Sequence, residues 1–224
     1  MRKPLSTPTA RRVKRLIDVV VSATALILLS PLLLGIALSI RVTMGRPIFF
    51  RQQRIGRDDV PFQVYKFRSL NEDVDADGVL LPSSERMTKL GWFLRRWSLD
   101  ELPQFLNVLR GDLSLIGPRP LLPHYLPAYT EREKIRHSVR PGITGLAQVS
   151  GRNSLTWDEK LELDVRYVER WSLILDARIA IQTLRLLLRS SSVARDPSGE
   201  GDLARLRGMP GPTPPSGLPR DRRG

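Results

Sequence analysis

LIDVVVSATALILLSPLLLGIALSI, residues 16–40, decides what kind of protein this is. Its 25 residues are apolar apart from Asp18, Ser22, Thr24, Ser30, Pro31, Gly35 and Ser39. That is long enough to cross a bilayer, which takes about 20 apolar residues. A cleavable signal has a shorter apolar run and a small-residue cleavage site, and Ile40-Arg41-Val42-Thr43-Met44 is a poor one. A spanning helix and a re-entrant hairpin both remain. Ser30-Pro31 lies near the middle, where proline removes one backbone hydrogen bond and bends a helix. Arg11, Arg12, Lys14 and Arg15 precede the run, and Arg41, Arg46, Arg51, Arg54 and Arg57 follow it. Positive charge marks the cytoplasmic side, and here both flanks carry it. The pattern favours a segment that dips into the membrane and returns.

Beyond this run, Ile48–Phe50 and Phe62–Phe67 have strand composition, with the turn-like Gly56-Arg57-Asp58-Asp59 between them. They predict a β-hairpin. Residues 71–86 are polar and acidic and read as a loop. A helix is expected near RRWSLDELPQFLN, residues 95–107, continuing to Gly111. Residues 111–123 and 140–153 are Gly-rich loops. Apolar residues at helical spacing over 157–168 and 173–188 predict two amphipathic helices, packed on a core or lying on an anionic membrane. Residues 190–224 are rich in Pro, Gly, Ser and Arg and carry too little apolar content to fold.

The chain has 224 residues, with 36 Lys and Arg against 23 Asp and Glu, a net charge of +13. Such a surface attracts phosphates, anionic lipid or nucleic acid without choosing among them. There is no cysteine, which excludes disulfides and thiolate metal sites. With His124 and His137 the only histidines, a multi-histidine zinc site is a poor fit and an oxygen-ligated ion such as Mg²⁺ a better one.

The candidate chemistry centres on Asp100 and Glu101. Ser98-Leu99-Asp100-Glu101 matches an S-x-x-E capping box, and acids also suit a first helical turn. The same geometry suits catalysis. A helix start and the neighbouring Arg95 and Arg96 favour an ionised carboxylate, and an ionised aspartate can attack phosphorus once metal and arginine neutralise the phosphoryl oxygens. Gly117-Pro118-Arg119-Pro120 sets one arginine on a stiff loop suited to phosphate. Lys66 and Arg68 alternate with Phe67 and share a strand face. Gly142, Gly145 and Gly151 make a loop able to approach a ligand closely, from which Gln148 and Arg152 project.

Taken in order, KRLIDVV, the Ser-Pro of the apolar run, RQQRIG, YKFRS, LRRWSLDELPQFLNVLRGDLSLIGPRPLLP, RHSVRPGITGLAQVSGRN and LDVRYV resemble the small monotopic bacterial phosphoglycosyl transferases, the bacterial sugar transferase family. The resemblance covers about residues 13–189. It implies an α+β, mostly helical monotopic membrane protein. A flexible basic leader (1–13) and a re-entrant membrane helix (14–41) would precede a cytoplasmic catalytic domain (42–189), with a disordered tail (190–224). The hairpin and amphipathic interfacial helices would surround a small catalytic centre. It also implies transfer of a sugar-1-phosphate from a UDP-sugar to polyprenol phosphate, by way of a covalent intermediate on Asp100, with UMP released. Glu101, with Asp100, would hold Mg²⁺. Lys66, Arg68, Arg95, Arg96 and Arg119 would bind phosphate, Gln148 and Arg152 would lie on the nucleotide side, and Lys14, Arg15, Ser30 and Pro31 would belong to the membrane motif. The expected partners are the two substrates, anionic membrane lipids and downstream glycosyltransferases, with no nucleic acid. A membrane-bound glycosyltransferase that releases UDP is the alternative. Leu146, Ser150 and Ser69-Leu70 depart from the family's usual residues, none of them at the acid pair.

Overall fold

The computed structural model describes residues 7–151, 154–188 and 203–208. Helix α1 (Pro8–Leu28) opens with Thr7 as its cap, whose hydroxyl accepts from the Ala10 amide at 3.2 Å, and with Pro8 in its first turn. Residues 8–13, expected to belong to a flexible leader over 1–13, are helical, and 1–6 lie outside the described residues. Helix α2 (Ser30–Thr43) follows at a bend of 62°. The cause is local. Pro31 has no amide to give the Ile27 carbonyl, and the Ser30 hydroxyl takes that place at 2.8 Å. No single described helix is long and apolar enough to cross a membrane, whereas the bent pair together has the length and composition.

Both ends of this pair are tied to the rest of the protein. On α1, Lys14 Nζ donates to the Ile116 carbonyl (3.0 Å) and to Asp176 (2.7 Å). Arg15 donates to the carbonyls of Val108 (2.6 Å) and Leu109 (3.0 Å). Buried Asp18 accepts from Ser114 Oγ (2.8 Å) and the Leu115 amide (3.1 Å). On α2, Ile36 and Ile40 are buried with Phe67 and Leu94. Near the bend, Ile27, Leu28 and Leu34 are bare.

The hairpin forms as expected. Strands β1 (Phe49–Ile55) and β2 (Pro61–Phe67) pair antiparallel, Phe49 opposite Phe67 and Ile55 opposite Pro61. The helix expected across 95–111 is broken instead. Helix α3 (Lys89–Arg96) ends, Ser98 turns into the left-handed region at φ 54°, and Leu99–Glu101 makes one 3₁₀ turn. Helix α4 (Gln104–Arg110) begins anew after Pro103 and stops at Gly111, φ 93°. Pro103 cannot donate to a preceding turn, so the chain cannot run through it as one helix.

The two Gly-rich loops are not purely loops. They zip into a short parallel pair, β3 (Ser114–Ile116) with β4 (Gly142–Thr144), followed by α5 (Leu146–Ser150). Their glycines serve this backbone approach rather than a ligand: a Cβ at Gly142 would stand 2.1 Å from the Gly117 nitrogen, and one at Gly145 2.1 Å from the Gly117 oxygen. Helices α6 (Trp157–Glu169) and α7 (Leu173–Leu188) follow. The capping box is found here, between Thr156 and Glu159, and not at Ser98. α6 buries Leu161, Val165 and Val168, which decides its packing role. α7 buries Ile179 but exposes Ile174, Ile181, Leu184 and Leu188. The tail expected to be disordered contains a short helix, α8 (Leu203–Leu206), set against the domain; the rest of 190–224 lies outside the described residues.

Candidate active site

Asp100 and Glu101 sit in the 3₁₀ turn between α3 and α4. What holds that turn against the hairpin is Asn107. Fully buried on α4, its Oδ1 accepts from the Tyr65 amide (3.1 Å), and its Nδ2 donates to the Gln63 carbonyl (2.7 Å) and Asp112 (3.2 Å). The side chain thus satisfies β2 as a neighbouring strand would. Lys66, the next residue along β2, then meets Glu101 at 2.6 Å. Arg119 arrives from the Pro-Arg-Pro loop and donates to the same Glu101 oxygen at 3.1 Å.

The two acids divide sharply. Burial works against the Glu101 charge, but Lys66 and Arg119 more than offset it and bring its pKa down to about 2. Glu101 in turn holds Arg119 in its charged form. Asp100 is buried, and its carboxylate has no ion pair with a described residue, unlike that of Glu101. Burial first, then the Glu101 charge, push its pKa up to about 6, against the pull of Lys66, Arg95 and Arg119. Arg95 favours the Asp100 charge as expected, but burial and the neighbouring Glu101 outweigh it, so the pKa is raised rather than lowered. Two carboxylates with separated proton affinities are the pattern of a reactive group beside a fixed charge.

The remaining expected residues are sorted by the geometry. Arg95 faces inward and donates to Ser69 Oγ at 2.9 Å. Arg96 does not join the site; it lies 5.0 Å over the Trp92 ring. Arg68 also points elsewhere, to the carbonyls of Met44 and Arg46, so Lys66 and Arg68 do not act as a pair. The Gln148 amide is buried without a partner among the described residues and lies beside Gly145, which packs on Gly117. Arg152 lies outside the described residues. Lys14 and Arg15 are tethers to α4, β3 and α7.

Three residues escape the sequence reading. Arg54, in RQQRIG, donates to the Pro120 carbonyl (3.4 Å) and Gln52 (2.6 Å), and burial together with the adjacent Arg119 charge brings its pKa down to about 10. It shares the Lys66 face of the hairpin, since both strands alternate in register. Arg136 and Asp164 form a buried pair at 2.7 Å, and Arg136 also donates to the Arg119 carbonyl at 2.5 Å. Arg54 and Arg136 lie in stretches whose motif character is visible; Asp164 has no signal beyond lying in LDVRYV.

A divalent ion of the Mg²⁺ kind takes one or two carboxylates and shares the substrate's phosphate oxygens. Asp100, free of described partners, and its neighbour Glu101 fit that demand. Among the described residues no cluster of three or more metal-ligating side chains exists, so an all-protein cage is not formed there.

Comparison with known proteins supplies the frame. The family model for bacterial sugar transferases matches residues 9–190. The uncharacterized sugar transferase EpsL of Bacillus subtilis is 49% identical over 180 residues, 80% of this chain and 89% of its own. A UDP-glucose:undecaprenyl-phosphate glucose-1-phosphate transferase of Caulobacter vibrioides is 40% identical over 80% of this chain and 71% of its own. An undecaprenyl-phosphate galactose phosphotransferase of Salmonella typhimurium is 39% identical over 83% of this chain, but this chain spans only 42% of that relative. With a family match across nearly the whole described length, the chain belongs to the bacterial sugar transferase family.

Proposed function

We propose that this protein transfers a sugar-1-phosphate from a UDP-sugar to polyprenol phosphate, releasing UMP and leaving a polyprenyl diphosphate-linked sugar. The observation that carries the reading is the divided acid pair: Asp100 buried, without a side-chain partner among the described residues and near pKa 6, beside Glu101 fixed as an anion between Lys66 and Arg119. Asp100 is the nucleophile. Its carboxylate oxygen bonds to the sugar-bearing phosphorus, and the bond from that phosphorus to the nucleotide phosphate breaks. The polyprenol phosphate oxygen then attacks the same phosphorus, the Asp100–phosphorus bond breaks, and the carboxylate is regenerated. Arg119, Lys66 and Arg54 line one face and draw the diphosphate toward Asp100. Mg²⁺, held by Asp100 and Glu101 with the substrate phosphates, would neutralise charge on the reacting oxygens.

The bent helix pair is read as re-entrant. Its start is tied by Lys14, Arg15 and Asp18 and its end by Ile36 and Ile40, both to the body that carries the acid pair. A spanning segment would have to pull those ends to opposite sides. The catalytic body then lies on the cytoplasmic face, among anionic lipids that suit a charge of +13, where a soluble nucleotide sugar and a lipid phosphate meet.

The test is nucleotide release. Detergent-solubilised protein is mixed with Mg²⁺, undecaprenyl phosphate and either UDP-glucose or UDP-galactose, and UMP and UDP are measured separately. UMP that depends on the lipid and disappears in Asp100→Asn is expected. UDP as the product, or full turnover in Asp100→Asn, would sink the assignment.

A further inference from the structure

The reaction makes no use of one contact, that between α8 and the back of the arginine loop. Leu203 is 1% exposed, seated among Tyr125, Ala128, Tyr129 and Leu161, with Trp157 packed at the edge of the cluster. One helical turn later, Arg207 reaches Glu133 with both terminal nitrogens, at 2.7 and 2.8 Å. It also reaches Asp158 at 2.6 Å and the Ala128 carbonyl at 2.7 Å. These partners come from two 3₁₀ segments, Pro123–Ala128 and Glu133–Ser138, and from the start of α6.

A four-residue helix has no stability of its own, so its order comes from this seat. A lone surface ion pair contributes little. Here a forked guanidinium meets a carboxylate through two bonds, a second acid and a backbone carbonyl, next to a fully buried leucine. Charge and shape agree: an acidic pair at one end of the groove, an aromatic-lined hollow at the other, spaced by one turn.

The seat also backs onto the active-site loop. Tyr129, which walls the Leu203 hollow, accepts from Arg136 at 3.2 Å, and Arg136 donates to the Arg119 carbonyl. On the other side of the same loop, the Ile55 amide donates to Leu121 at 3.0 Å, beside Arg54. A push on the groove therefore meets Arg119 through packed side chains and hydrogen bonds without a gap.

We propose that the groove between residues 123–138 and the start of α6 is a docking surface for a helical Leu-x-x-x-Arg turn, occupied in cis by residues 203–208, and that this strap holds Arg119 in place against Glu101. The coupling to Arg119 rests on the reading of that arginine as a phosphate ligand; the docking does not.

The full-length chain carries the test, as Arg207→Glu, Leu203→Asp and the conservative Arg207→Lys. Amide hydrogen exchange over residues 121–138 is read by mass spectrometry, and donor KM and kcat by UMP release. Arg207→Glu and Leu203→Asp are expected to speed exchange in that segment and raise donor KM about fivefold with kcat little changed. Arg207→Lys is expected to fall between the parent and Arg207→Glu in both, since it keeps the charge but loses the fork. Unchanged exchange in both disruptive variants overturns the docking. Faster exchange with an unchanged KM overturns the coupling to Arg119. If the unaltered chain releases no UMP, the functional reading fails and the exchange measurement still decides the strap.

Discussion

At the residue scale, the acid pair makes opposite demands on stability and on turnover. The folded-state pKa of Asp100, about 6, stands above its ordinary value of 3.8, so folding disfavours its charged form. The stability it contributes is fully present below the unfolded pKa and is lost as pH rises through about 6. Asp100→Asn removes that loss. The variant is expected to be inactive yet more stable than the parent at pH 8, by on the order of 1–3 kcal/mol, with the difference vanishing below pH 4. Thermal unfolding at the two pH values checks it. If Asp100→Asn proved less stable than the parent at pH 8, Asp100 would be held by partners rather than stranded by burial. The same group sets a pH profile: kcat/KM should fall about tenfold per pH unit below its pKa and level off above it. Initial rates between pH 4.5 and 8 would show a flat profile if another group attacks phosphorus. Glu101 has the reverse sign. Its pKa near 2 means its stabilising pairing persists until strongly acid conditions, so it does not titrate across that range. The acid pair itself was visible in the sequence, between the arginines and Pro103, where a capping role fits equally well; the reactive role proposed for it came from the family resemblance. Their division was not visible there, since it depends on which of them Lys66 and Arg119 reach, and those residues come from 35 and 18 positions away.

At the scale of elements, the hairpin was readable from strand composition around a turn, and α6 and α7 from apolar residues at helical spacing; α6 buries its stripe, whereas Ile181, Leu184 and Leu188 of the α7 stripe are exposed. The broken helix at residues 97–103 was not readable. Ser98-Leu99-Asp100-Glu101 carries a sound local capping signal, yet Glu101 bonds to Lys66 and Arg119 instead, because a charge-assisted contact outweighs a cap. The β3–β4 pair was missed for a different reason. Its three-residue strands are joined by backbone alone, across glycines that read as ligand loops. Asn107 is the clearest element-level determinant of the site. Asn107→Ala would leave the Tyr65 amide and Gln63 carbonyl unsatisfied in a buried seam. It should cost about 2–4 kcal/mol of stability and lower kcat by loosening Lys66 from Glu101. Denaturant unfolding and initial rates check the two parts, and a fully stable variant would show that α4 is held to the hairpin by other contacts.

At the scale of the whole molecule, the topology of the bent pair decides where the site can work. The chain has no native cysteine, so single cysteines can be introduced without background. Thr9→Cys, before the bend, and Arg46→Cys, after it, are expected to react with a membrane-impermeant maleimide together, in inverted vesicles, and in right-side-out vesicles neither should. Labelling of one from each side would establish a spanning segment. The sequence pointed this way through the basic residues on both flanks. It held no sign that those flanking residues are structural. Lys14 and Arg15 read in the sequence as a basic flank of the apolar run, and only the folded chain brings the Val108, Leu109 and Ile116 carbonyls to them.

That tethering has a practical side. Lys14, Arg15 and Asp18 together satisfy the C-terminal carbonyls of α4, the edge of β3 and the Asp176 carboxylate of α7. A fragment beginning after Thr43, cut to free the catalytic body for soluble expression, would therefore discard a wall of the catalytic body itself. The bent pair and the body that carries the acid pair fold as one object, so on the re-entrant reading proposed above detergent extraction of the full chain, rather than removal of the pair, is the expected route to a soluble preparation.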